Sequence, residues 1–184
     1  MTELEKMMSG ELYQASHNTE LLDILMKTRS LCYDFNRLHP RDVETQQAMI
    51  RQLLGKTGER FKIIQPFFCD YGFNISIGED FFANTNLVIL DEALVTFGDN
   101  VFIAPNCSFY TAGHPLDPQL RNQGLEYSLP IRVGNSVWIG GNVCVMPGVT
   151  IGDNTVIGGG SVVVHDIPSG VLAAGNPCRV IRTL

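Results

Sequence analysis

Aliphatic residues return every six positions along the C-terminal half of the chain. Val133, Ile139, Val145, Ile151, Ile157 and Val163 lie six apart without a break, and four residues after each stand Val137, Val143, Val149, Thr155, Ser161 and Ile167. Gly134, Gly140, Gly152 and Gly158 directly follow four of the six leading aliphatics. A helix stripe needs a period near 3.6 and a flat strand a period of 2, so six matches neither. It matches a short extended segment followed by a corner, with one aliphatic side chain pointing inward each time. Three such segments close a triangular coil, and stacked coils pair strand over parallel strand. The inward column becomes a continuous apolar core, and small residues at the corners avoid clashes. A β-sandwich would repeat at about 8–12 residues, so unbroken hexads argue against it.

An earlier block keeps the same rhythm with Ile77, Ala83 and Ile89, slips by two residues, and resumes at Phe97, Ile103 and Phe109. The rhythm fails in a stretch rich in Pro, Asp, Gln, Asn and Gly, which predicts a long loop over 115–132. Long loops in compact repeat domains often carry function.

Residues 1–60 read as a helical segment and 61–184 as the repeat domain. Asn18 and Thr19 supply cap chemistry. Leu21, Leu25, Thr28, Cys32 and Phe35 then recur at spacings of 4, 3, 4 and 3, which is one helix face. His39-Pro40 ends that helix. Asp42 can cap a second one through Val43, Ile50, Leu53 and Leu54, stopped by Gly55.

Of the 184 residues 45% are apolar, enough for one buried core. No run approaches the ~18 apolar residues of a membrane span. Thirteen basic against nineteen acidic residues leave a charge of −6, which disfavours general nucleic-acid binding. Five scattered cysteines form no CxxC or Cys/His cluster, so no metal site is expected and the thiols read as reduced. The opening MTELEKMMSGELYQ lacks a basic end followed by an apolar run, so a cytoplasmic protein is expected.

The hexads, with IGDNTVIGGGSVV inside them, resemble the hexapeptide-repeat acyltransferases. That resemblance implies a mainly β fold, a left-handed parallel β-helix; the general crossover rule would predict the opposite hand. FFCDYGFNISIG, FFANTN and TAGHPLDPQLRNQG are similar to the sugar O-acetyltransferases of the maltose, galactoside and nodulation-factor types. VWIGGNVCVMPGVTIGDN and AAGNPCRVIR extend the similarity to the C-terminus, and SGELYQ…LCYDFN resembles that family's N-terminal segment.

Acetylating a hydroxyl requires a base to remove its proton as the new bond forms, and histidine suits that task. His17 lies in a polar stretch, His39 at a helix end, and His165 at an outward phase of its hexad. His114 stands where the repeat breaks. The resemblance makes His114 the general base for direct attack of a sugar hydroxyl on acetyl-CoA. An acyl-enzyme would need an activated nucleophile, but Cys69, Cys107 and Ser161 fall at inward phases. By resemblance the Gly141 N–H stabilises the oxyanion, while Glu126 orients or polarises the imidazole.

The acceptor sugar is assigned by similarity to Asp70, Asn84 and Glu92. Their bland readings are a repeat corner, an asparagine ladder and a solvated acid. The galactoside enzymes carry serine and aspartate where Asp70 and Glu92 stand, whereas Asp70 agrees with the maltose-type CDYG. Many relatives have aspartate where Asn18 stands. Coenzyme A contacts are implied for Trp138, Gly141, Gly159, Val164, His165, Arg179 and Arg182, with the arginines suited to phosphate. Relatives often carry lysine at the place of His165. The family also implies a homotrimer with sites between subunits. Three other readings stay open at this level. One is a hexapeptide acetyltransferase for an antibiotic or amine, and another a non-catalytic scaffold. The third, a β-helix carbonic anhydrase, would need three histidine ligands.

Overall fold

The computed structural model describes residues 1–184. Strands of two to four residues stack in register into three parallel faces. The first face is built from Phe61–Ile63, Phe81–Ala83, Phe102–Ile103, Trp138–Ile139, Val156–Ile157 and Val171–Ala174, with Arg179–Thr183 added antiparallel. The second holds Phe67–Cys69, Leu87–Leu90, Ser108–Tyr110, Cys144–Val145 and Val162–Val163. The third holds Ile75–Ser76, Val95–Phe97, Ile131–Val133 and Thr150–Ile151. The chain visits the faces in that order on every turn, which makes a parallel β-helix.

All twelve hexad positions named above between Val133 and Ile167 are buried. The two polar members satisfy themselves: Thr155 donates to the Pro168 carbonyl at 3.0 Å, and Ser161 donates to the Gly158 carbonyl. In the earlier coils Phe81, Phe97 and Phe109 fill the interior edge to face, with centroids 5.2 and 5.0 Å apart. Corners are sharp because Asn86, Asn106 and Asn142 adopt left-handed backbone at φ 62°, 61° and 58°, which asparagine tolerates better than most residues. Gly140 lies against the next coil so closely that a Cβ there would sit 2.6 Å from the Gly159 nitrogen.

The two-residue slip has a defined place. Ile89 and Phe97 are eight apart because the corner between the second and third faces bulges, and Asp91 and Glu92 are buried in it. The coil before is enlarged at the same corner, between Cys69 and Ile77, and the coil after carries the excursion through residues 111–130. Val145 and Ile151 return to six. Three consecutive coils therefore widen at one corner.

That excursion starts and ends earlier than a loop over 115–132 and is more ordered. Ala112–Gly113 pairs antiparallel with Leu125–Ser128, and the latter pairs with Tyr13–Gln14. A short helix, Pro118–Asn122, spans the tip. Arg132 already belongs to a coil strand, opposite Thr96 and Thr150.

At the N-terminus, helix α1 (Glu3–Ser9) precedes α2 (Thr19–Asn36), capped by Asn18, and α3 (Val43–Leu53), capped by Asp42. The helical stretch stops before residue 60, since Lys56 already bridges Ser76. Gly55 abuts the Phe73 carbonyl too tightly for any side chain. Cys32, Phe35, Ile50, Leu53 and Leu54 extend the coil's own core over its open end. A second cluster of Met7, Tyr13, Leu21 and Tyr71 ties α1 and α2 to the widened corner.

Candidate active site

The widened corner encloses a cavity of about 340 Å³ walled by Asp70, Leu90, Glu92, Tyr110, His114 and Glu126. The wall residues come from three consecutive levels of the stack, so the bulges that break the hexad rhythm are what open the space.

His114 follows the short strand Ala112–Gly113 and is exposed to the cavity. Its Nδ1 lies 3.2 Å from the Leu125 carbonyl oxygen. A carbonyl can only accept, so Nδ1 carries the proton and Nε2 presents a lone pair. Glu126 Oε1 stands 3.9 Å from that Nε2. The ring is thus oriented by a main-chain carbonyl, whereas the Glu126 carboxylate sits beside Nε2. Glu126 is itself held by the Tyr13 hydroxyl, which donates to Oε2 at 2.9 Å. Burial and then the Glu126 charge push the Tyr13 phenol far above its usual range, so it remains a donor.

Three carboxyls crowd the floor. Glu92 is buried, and its Oε2 accepts from the Thr111 hydroxyl at 3.2 Å. Burial, followed by the charge of Asp70, pushes Glu92 up to about 9, so it is neutral at pH 7 and can share its proton with Asp70. Asp91 is fully buried. Its Oδ1 accepts the N–H groups of Asp70 and Tyr71 at 3.1 and 2.9 Å, while Oδ2 has no partner. Burial raises Asp91 to about 7 against those hydrogen bonds. Arg29 of α2 reaches Asp70 at 3.6 Å from the opposite side.

The expected site residues divide between two corners. Asp70, Glu92, His114, Glu126, Val164 and His165 occupy the corner between the second and third faces. Asn84, Gly141 and Gly159 occupy the corner between the first and second faces. There the Gly160 N–H donates to the Gly141 carbonyl at 2.8 Å, and Asn84 Oδ1 is engaged by the Thr85 N–H at 2.8 Å. A whole strand of the second face, about 10 Å at roughly 3.3 Å per residue, separates the two corners. Trp138 projects outward from the first face, and Arg179 and Arg182 lie on its exposed terminal strand. One chain therefore does not gather these residues around His114. Leu125, Tyr13, Asp91, Thr111 and Arg29 belong to the site's framework without having been picked out from the sequence. The hexad slip around Asp91 was their one visible trace.

Comparison with known proteins places this architecture among relatives. Residues 6–58 match the maltose acetyltransferase hexapeptide capping motif, and residues 130–165 match the bacterial transferase hexapeptide (six repeats) model. Galactoside O-acetyltransferase of Escherichia coli K12 is 50% identical over 159 residues, covering 86% of this chain and 78% of that protein. The crystal structure of a maltose O-acetyltransferase from Clostridium difficile 630 is 48% identical, with a TM-score of 0.98 over 100% of this chain and 98% of the other. A galactoside acetyltransferase in complex with coenzyme A is 46% identical, with a TM-score of 0.95 over 100% and 91%.

Proposed function

The chain belongs to the hexapeptide-repeat O-acetyltransferases of the maltose and galactoside type, and from that premise we propose that it acetylates a sugar hydroxyl with His114 as general base. It is an acetyl-CoA-dependent acetyltransferase. The observation that carries the catalytic reading is the bond between His114 Nδ1 and the Leu125 carbonyl, which leaves Nε2 as an acceptor on the cavity wall.

His114 Nε2 takes the hydroxyl proton as the sugar oxygen bonds to the thioester carbon. Glu126 offsets the positive charge that then forms on the ring. As the carbon–sulfur bond breaks, the imidazolium returns its proton to the departing thiolate, leaving acetylated sugar and CoA. Asp70 and the protonated Glu92 offer an acceptor and a donor to the sugar's remaining hydroxyls. The Gly141 N–H is the oxyanion donor in this scheme. It stands one strand away from the widened corner of its own chain, so a neighbouring copy must supply it. Asn84 and Gly159 lie on the same corner as Gly141 and would come from that copy as well. That division is the reason we favour a homotrimer with sites between subunits.

In the bound state Trp138, Gly141, Gly159, Val164 and His165 would line the arm of coenzyme A, with Arg179 and Arg182 at its phosphates. Our reading puts the enzyme in the cytoplasm, where its five unpaired thiols stay reduced. The test is thiol release from acetyl-CoA on adding glucose, maltose or a galactoside. Sugar-dependent release supports the reading, and release with amines alone overturns it. Sedimentation should give three copies; a catalytically active monomer would contradict the shared site.

A further inference from the structure

We propose that the cavity between α2 and the strand Phe67–Cys69 is a second-ring subsite for the acceptor, so that the preferred substrate is a disaccharide or longer glycoside rather than a single sugar. This rests on the sugar acetyltransferase reading above and deepens it. The cavity measures about 570 Å³, larger than the 340 Å³ space at His114, and the two share Asp70 and Leu90 as common wall. A molecule acetylated at His114 can therefore extend past Asp70 without leaving the protein.

The lining specifies what would enter. Tyr33 from α2 and Phe68 from the second face line it, 58% and 46% exposed. Arg37 lies over the Tyr33 ring, 5.0 Å from its centroid, and stiffens it. The apolar C–H face of a pyranose packs on such rings as other flat apolar groups do. Asn36 and Arg37 also line the cavity but are engaged by Phe67 and the Tyr33 ring, so polar recognition falls to the junction, where Arg29 and Asp70 pair at 3.6 Å and present both donors and acceptors. That pairing offsets the two charges at the junction, and Arg37 is turned onto the Tyr33 ring, so a neutral ring fits this lining better than an anion or a cation.

The wall is also fixed in advance. Asn36 accepts the Phe67 N–H at 2.8 Å and donates to the Phe67 carbonyl at 2.9 Å, which clamps α2 to the strand. A cavity held open by main-chain bonds costs its ligand little ordering.

Steady-state kinetics with glucose and maltose, on the wild type and on Tyr33→Ala, Tyr33→Phe and Phe68→Ala, test this. The wild type should favour maltose in kcat/KM. Tyr33→Ala and Phe68→Ala should each lower kcat/KM for maltose about three- to tenfold, the worth of one aromatic contact, and leave glucose within twofold. Tyr33→Phe keeps the ring and should retain the maltose rate. Equal wild-type use of both sugars overturns the subsite, as expected if a neighbouring copy fills the cavity. Equal losses on both sugars in Tyr33→Ala overturn it too. Either result leaves the sugar reading standing, whereas failure to acetylate any sugar removes both.

Discussion

The Oδ1 atom of Asp91 accepts the main-chain N–H of Asp70 at 3.1 Å, so a fully buried carboxylate sets the position of one at the cavity mouth. The same Oδ1 accepts the Tyr71 N–H, and the Asp91 carbonyl accepts the Asn74 amide at 2.7 Å. The turn from Asp70 to Asn74 is thereby pinned to the coil above it.

Asp91→Ala should strand two buried N–H groups and cost about 1–3 kcal/mol of stability. The acceptor KM should rise while the acetyl-CoA KM stays within about twofold. Asp91→Asn keeps an oxygen for both bonds and should restore most of the acceptor KM. Unequal rescue of stability and acceptor KM by asparagine would show that Asp91 does not act through Asp70.

Glu92 gives a pH signature. Its carboxyl lies near 4.5 when unfolded and is raised to about 9 in the fold, chiefly by burial. The folded state therefore holds a proton that the unfolded state releases, and stability falls as pH rises through that window. Glu92→Gln removes the titration. Thermal melts should show little difference from wild type near pH 4.5 and a variant several degrees more stable by pH 8. A constant difference across the range would contradict a neutral buried Glu92.

Tyr13 acts at a distance of 113 residues by holding Glu126. Tyr13→Phe keeps the buried ring and removes the hydroxyl, so about 1 kcal/mol of stability should be lost. Because Glu126 is then free to turn from Nε2, kcat should fall roughly threefold to tenfold, by the loss of one modest electrostatic interaction. Unchanged kcat would mean that the Glu126 charge does not assist His114.

The coil was legible because each hexad commits one side chain, such as Val145 or Ile151, to the interior, and that regularity survives in the sequence. Asn18 and Asp42 were legible as caps because capping depends on residue type at one position. The break around Ile89 and Phe97 was visible, but its cause was not, since nothing in the spacing says that Asp91 and Glu92 turn inward. The orienter of His114 left no trace. Leu125 contributes a main-chain carbonyl, which every residue possesses. Tyr13 and Glu126, or Arg29 and Asp70, meet only because α1 and α2 fold back over the widened corner. The separation of Gly141 from His114 depends on which corner of the triangle each occupies, and that became readable only once the strands were assigned to faces.

The most direct measurement is acetyl transfer from acetyl-CoA to sugar by His114→Ala. If Nε2 removes the hydroxyl proton, kcat should fall by about two to four orders of magnitude, with the acetyl-CoA KM within about threefold of wild type. A variant that still turns over within tenfold of wild type would contradict His114 as the base.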